Sequence, residues 1–408
     1  MKKHLIAAAV AAAVAAPAMA QNVEVYGVLD IGYADNKLTS KANSTAESTD
    51  NKINRFGGFA GLSGNRLGFR GTEDLGGGLK ANFVLEASVA TNLGFGAHRL
   101  ANVGLAGNMG TVTVGRQVSF GKSVMDSYTA FGGGGNFITG STVHAASGMT
   151  TSDQLTAESI FLDGIGAFSG RRGDALTYMS PRVSGIQVGA QFLRNSNDSS
   201  TLEGKSGDNS TALQINYVGG PLSVAFSRTD AKAKTQEVAG TRLFCASNTA
   251  GAGNVTTVAA GATTCGTGNT RLSGTAAVAE SSTDITLNQF GAKYTIGNIS
   301  LFLAHASNSD EVDGAGDDDI HSKATDVGIT VGLGATTLLA SIGNGRVDYD
   351  SGNGKADLDG YTLQAHYALS KRSTLYAIYG SSTFEMNNQG GGAEGKEKLT
   401  MMGMRHSF

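Results

Sequence analysis

After Ala20 the chain has no apolar run of about 18 residues, which excludes a membrane-spanning helix. It also lacks an excess of basic charge. The formal net charge is −3 over 408 residues, and loss of Lys2 and Lys3 with a cleaved leader makes the remainder more acidic still. Without a basic face, non-specific nucleic-acid binding is disfavoured. Only two cysteines occur, with no matching histidines, so a zinc site has no ligand set. The six histidines after the leader are scattered, and none forms a serine-histidine-acid set in the sequence. There is no linker, no composition break and no alternation of strand and helix patterns, so the length does not resolve into two or three soluble domains.

What is present begins with a leader. Lys2 and Lys3 precede an apolar run from Leu5 to Ala16 and a small-residue cleavage site, Ala18-Met19-Ala20. Residues 1–20 are therefore expected to be a cleaved signal peptide, leaving one domain over 21–408.

The clearest pattern in the chain is the hairpin from Asn65 to Ala87. Leu67, Phe69 and Gly71 fall on one face and Arg66 and Arg70 on the other, because a strand alternates with a period of two. After the turn at Gly76-Gly77-Gly78, Leu79, Ala81, Phe83, Leu85 and Ala87 share one face, with Lys80, Asn82 and Glu86 opposite. The same alternation recurs from Val23 to Ala34 and in hairpins across Gly107–Gly110, Pro181–Gly185, Gly219–Pro221, Ile296–Asn298, Gly332–Gly334 and Ser370–Arg372. A last strand runs from Leu399 to Phe408. The apolar face is ambiguous in Ile299–His305 and in Thr374–Tyr379.

Tight turns interleave with polar segments near 36–64, 117–170, 194–209, 230–283, 307–323, 344–358 and 381–397, and Ser123–Ala130 has the pattern of a short helix. A soluble sandwich does not need its long connections at one end. A membrane β-protein must close on itself, because lipid leaves unpaired backbone groups unsatisfied. The expected fold is all-β: a closed antiparallel transmembrane β-barrel of about 16 strands, apolar outward and polar inward, around a water-filled lumen. The short turns would be periplasmic and the long loops extracellular.

Several motifs then resemble a known family, the Gram-negative general porins, most closely their β-proteobacterial branch. They are Val25-Tyr26-Gly27-Val28-Leu29-Asp30, the run from Asn65 to Gly78, Gly110 to Gln117, Tyr367 to Arg372, and Gly403 to Phe408. The resemblance spans the mature chain. It implies an outer-membrane homotrimer of 16-stranded barrels that passes small hydrophilic solutes and ions passively, without cofactor or catalysis, with loop 3 folded into the pore. Residue by residue it implies a basic wall at Arg66, Arg116 and Arg171, with Arg70 nearby and Arg172 as the alternative to Arg171. Facing carboxylates would come from Asp126, Asp153, Glu158 or Asp163 in loop 3, where Ala130-Phe131-Gly132-Gly133 departs from the enterobacterial loop tip. Terminal Phe408 resembles the signal read by the barrel-assembly machinery.

Arginine on a polar strand face belongs in a wet lumen, since it costs several kcal/mol against lipid. Basic wall against acidic loop would set a transverse field. The wall favours anions and the acidic mouth cations; the narrow point is least screened, so anion preference is expected. Cys245 and Cys265, both in one long loop of an exported chain, are expected to form a disulfide. Asp310, Glu311, Asp313, Asp317, Asp318 and Asp319 form an acidic loop cluster, read either as a solvated surface or as a divalent-cation site bridging to lipopolysaccharide. A barrel lipase or protease and a structural or adhesive surface barrel are the competing functions. Neither has a nucleophile or other residue set to support it.

Overall fold

The computed structural model describes residues 23–41, 48–58, 61–90, 94–132, 170–197, 206–235, 244–247, 255–257, 269–273, 281–313, 319–349, 354–387 and 393–408. In chain order the strands are β1 (Glu24–Lys41), β2 (Thr49–Gly57), β3 (Arg66–Gly76), β4 (Leu79–Ala90), β5 (Gly94–Gly107), β6 (Gly110–Val118), β7 (Arg171–Met179), β8 (Ile186–Asn197), β9 (Ser206–Gly219) and β10 (Leu222–Thr235). They continue with β11 (Phe244–Ser247), β12 (Val255–Thr257), β13 (Asn269–Ser273), β14 (Ser281–Ile296), β15 (Ile299–Asp313), β16 (Ile320–Leu333), β17 (Thr336–Tyr349), β18 (Gly354–Ala368), β19 (Ser373–Asn387) and β20 (Ala393–Ser407). Among the described residues, one helix, α1 (Phe120–Tyr128), lies between β6 and β7; Ser119 caps it by accepting from the Lys122 amide.

Sixteen strands, β1, β3–β10 and β14–β20, form a closed antiparallel ring. The seam joins the chain ends: β1 pairs with β20 from Val28 opposite Ser407 to Lys41 opposite Glu394, and Gly27 and Phe408 exchange reciprocal backbone bonds of 3.1 Å. On its other side β1 is shared. Its first residues pair with β3, Glu24 opposite Arg70 to Val28 opposite Arg66, while its far half pairs with β2. Strands β11–β13 form a separate small sheet.

Alternation decides which side faces out. Val25, Leu29, Ile31, Val103, Leu105, Leu213, Ile215, Leu301 and Leu303 are exposed, whereas Asp30, Gln191, Ser227, Gln289, Asp326 and Thr362 are buried. This inverts the arrangement of a soluble sheet, and such an apolar exterior is stable only in lipid. The two ambiguous strands now resolve. Ile299, Leu301 and Leu303 face outward and Phe302 and Ala304 inward; Leu375 and Tyr379 face outward and Tyr376 and Ile378 inward.

Several expected loops are instead strand. β1 continues to Lys41 and β2 occupies part of 36–64; β15 runs through Asp310, Glu311 and Asp313; β17–β20 extend to within a few residues of each other. The acidic cluster is therefore partly wall rather than loop, with Asp310 opposite Ile285 and Asp313 opposite Ser282. The apolar alternation ends where lipid would end, but backbone pairing needs no apolar side chains and carries the wall further.

Candidate functional site

The inner surface is organised around β1, β3, β4, β5, β7 and β20. Glu86, buried on the inward face of β4, accepts from Arg99 Nε at 2.5 Å and from the Tyr26 hydroxyl at 3.0 Å. Tyr26 is on β1, and its ring lies across Gly68 of β3, where a Cβ would come within 2.4 Å of it. Arg66 begins β3, with Nε donating to the Gly64 carbonyl at 3.1 Å and Nη2 to Ser63 Oγ. Arg99 Nη1 would be 3.1 Å from a Cβ at Gly64, so the Arg66 and Arg99 guanidiniums flank the same short segment.

Further round the ring, Arg171 at the start of β7 lies within electrostatic range of Arg99, Glu86, Asp126 and Arg66. Arg405 of β20 acts on both Arg66 and Asp30. Four arginines from four strands thus converge around two buried carboxylates, Glu86 and Asp30. Among the described residues, the Nε atoms of Arg171 and Arg405 are buried without a hydrogen-bond partner. Such a cluster presents a concentrated positive field with donors left over, suited to a passing anion.

Opposite lies α1. Val124 and Tyr128 pack on Ala225 of β10, and Met125 on Ala304 and Ala306 of β15. The Tyr128 hydroxyl meets Ser223 Oγ at 2.7 Å. Past the helix, Ala130 and Phe131 cluster with Phe302 and Leu339. All these partners are inward-facing positions of the wall, and Gly121 and Gly291 let the helix approach it closely. Asp126 of α1 is ion-paired with Lys122 at 2.9 Å and reaches Arg171 electrostatically.

The expected site residues separate on this geometry. Arg66, Arg171 and Asp126 come together. Arg70 is on the inward face but nearer the turn, ion-paired to Glu24 at 2.8 Å and 5.1 Å from the Tyr26 ring centroid. Arg172 is opposite Gln117 in register. Arg116 pairs with Ala101 in register and donates from Nε to the His98 carbonyl at 2.8 Å. Gly115 at φ 112° and the register shift between Gly115 and Gln117 break the alternation at this point.

Arg99, Arg405 and Glu86 were missed as site residues. Alternation puts Glu86 on the polar face, but β5 shifts register against β4 twice around Ala87, so Arg99 could not be placed by counting. Asp153, Glu158, Asp163, Cys265, Asp317 and Asp318 lie outside the described residues, as does the leader. Cys245 sits in β11 and Asp319 just before β16. Among the described residues no cluster of histidine, cysteine, aspartate or glutamate could hold a metal ion.

The profile of a Gram-negative porin family matches residues 7–259 and 245–387. An outer membrane porin of Bordetella pertussis is 32% identical over 259 residues, 59% of this chain and 62% of its own length. Outer membrane porin protein 32 of Delftia acidovorans is 39% identical over 136 residues, 32% of this chain and 36% of its own. These matches span less than two thirds of either relative. Among solved structures, an anion-selective porin from Comamonas acidovorans superposes with a TM-score of 0.58 at 21% identity, covering 95% of this chain and 100% of that one. By fold and by sequence, the chain belongs to the Gram-negative porin family as a multi-pass β-barrel of the outer membrane.

Proposed function

We propose that the barrel is a water-filled channel through which small hydrophilic solutes and ions diffuse down their gradients, with no cofactor and no chemical step. The carrying observation is the convergence of Arg66, Arg99, Arg171 and Arg405 on the inward faces of four strands, across the lumen from α1. Arg66 and Arg99 are held in place by Ser63, Gly64 and Glu86, and the positive field of the cluster acts on what passes. Loop 3, entered through α1, narrows the lumen against this wall. Asp126 supplies one facing carboxylate, and Asp153, Glu158 or Asp163 could supply others. Anions are favoured over cations, because four positive charges outnumber the two buried carboxylates, Glu86 and Asp30. The superposed Comamonas porin is itself described as anion-selective.

The functional unit is a homotrimer, surrounded by outer-membrane lipid and lipopolysaccharide and inserted by the barrel-assembly machinery through the strand ending in Phe408. Removal of residues 1–20 leaves 21–408 as the mature barrel, and a Cys245–Cys265 disulfide closes one of its long outer loops. The test is single-channel conductance in planar bilayers with the reversal potential under a salt gradient. Stepwise, nearly ohmic openings in threes and a potential of the sign for anions are expected. A folded trimer with no conductance would discard the channel and return attention to hydrolase assays.

A further inference from the structure

We propose that Asp30 and Tyr376 are positioning residues for Arg66: a latch between β1 and β19 that sets the ion preference without touching the solute. The inference rests on the reading of Arg66 as part of the pore wall. Asp30 has no exposed surface. Its Oδ2 accepts from the backbone amides of Leu62 at 2.7 Å and Ser63 at 3.0 Å, and its Oδ1 accepts from the Tyr376 hydroxyl at 2.6 Å. The Asp30 amide in turn donates to Asn65 Oδ1, and the Asn65 carbonyl accepts from the Val89 amide at 3.1 Å.

The segment held this way, residues 61–65, leads directly into Arg66. It also supplies both acceptors that orient that guanidinium, Ser63 Oγ and the Gly64 carbonyl. No ladder holds these residues, because β2 ends at Gly57 and β3 begins at Arg66. The Asp30 carboxylate replaces the missing ladder.

Tyr376 reaches Asp30 from two strands away because its path is cleared. In register Tyr376 faces Gly403 and Gly403 faces Gly32. A Cβ at Gly403 would lie 2.4 Å from the Tyr376 hydroxyl, and one at Gly61 would lie 2.3 Å from it. A tyrosine laid over glycines with its hydroxyl on a buried carboxylate is a built contact. A charge-assisted bond of this kind fixes both position and register.

The sign of the effect separates positioning from simple charge. Removing a negative charge near the arginines would by itself raise anion preference. Loss of positioning lowers it, because Arg66 is released from the wall. The experiment compares reversal potentials of trimeric wild type, Asp30→Asn, Tyr376→Phe, Arg66→Ala and the doubles with Arg66→Ala. The expected result is a shift towards cations for Tyr376→Phe and Asp30→Asn, each at least half that of Arg66→Ala, and no further shift when combined with it. If Arg66→Ala shifts the potential while Tyr376→Phe leaves it at the wild-type value, the latch is overturned. A shift towards anions for Asp30→Asn overturns it as well. If Arg66→Ala itself has no effect, the pore-wall reading fails instead. Should Asp30→Asn not assemble, Tyr376→Phe, which keeps the ring and changes no charge, decides alone.

Discussion

Glu86 serves two roles in the same place. It holds Arg99 through a nearly dry ion pair, and it subtracts one charge from a cluster of four arginines. The two roles separate by mutation. Arg99→Ala should shift the reversal potential towards cations. A unit charge about 5 Å from the ion path contributes ~0.8 kcal/mol in water, or about a fourfold change in ion partitioning. Arg116→Ala should leave it near wild type, since Arg116 Nε is engaged by the His98 carbonyl. Equal shifts from the two variants would place Arg116 in the pore wall. Alternation runs without a break through Arg66, because β3 has no irregularity between Arg66 and Asp74, whereas β6 has one directly before Arg116, so counting does not assign that side chain a face.

Among the elements, α1 is the one whose role depends on burial rather than on hydrogen bonding. Its apolar residues Phe120, Val124, Met125 and Tyr128 are all buried, although the helix is nine residues long and would be marginal alone. The wall of the barrel supplies what propensity does not. Tyr128→Ala removes both the packing on Ala225 and the hydroxyl contact with Ser223, a loss of about 3 kcal/mol at a buried aromatic. With α1 loosened, single-channel conductance should rise and grow noisier, while the trimer keeps its resistance to dissociation in detergent. Unchanged conductance would mean that α1 does not narrow the lumen. A short helix was legible near residues 123–130 from its spacing, but not which wall it would meet. That depends on β10 and β15, far later in the chain.

For the whole molecule, the closed ring makes neighbouring residues experience opposite solvents. Ile215 faces outward and Asn216 lines a lumen cavity with Tyr128, Lys293 and Ser223. Ile215→Arg should destabilise the barrel by roughly 2–4 kcal/mol if it lies near the membrane midplane, read as a shift in the urea midpoint in lipid vesicles. Asn216→Arg, one residue on, should fold with little penalty and alter conductance instead. Equal destabilisation by both would contradict the inward and outward assignment.

Much of this arrangement was written in the chain before folding. A period of two needs only a few residues to declare itself, so the strand type, the polar and apolar faces, the tight turns and the closed barrel followed from local pattern together with the rule that lipid tolerates no unpaired backbone. The seam between Gly27 and Phe408, the extension of the wall through Asp310 and Asp313, the pairing of Arg99 with Glu86, and the Asp30–Tyr376 contact did not. Each joins residues distant in sequence through register, and register is set by every strand and bulge between them. One uncounted residue turns a side chain from the lumen to the lipid. Local pattern assigned the chemistry of each face, and closure of the ring, through register, chose which charges meet across the lumen.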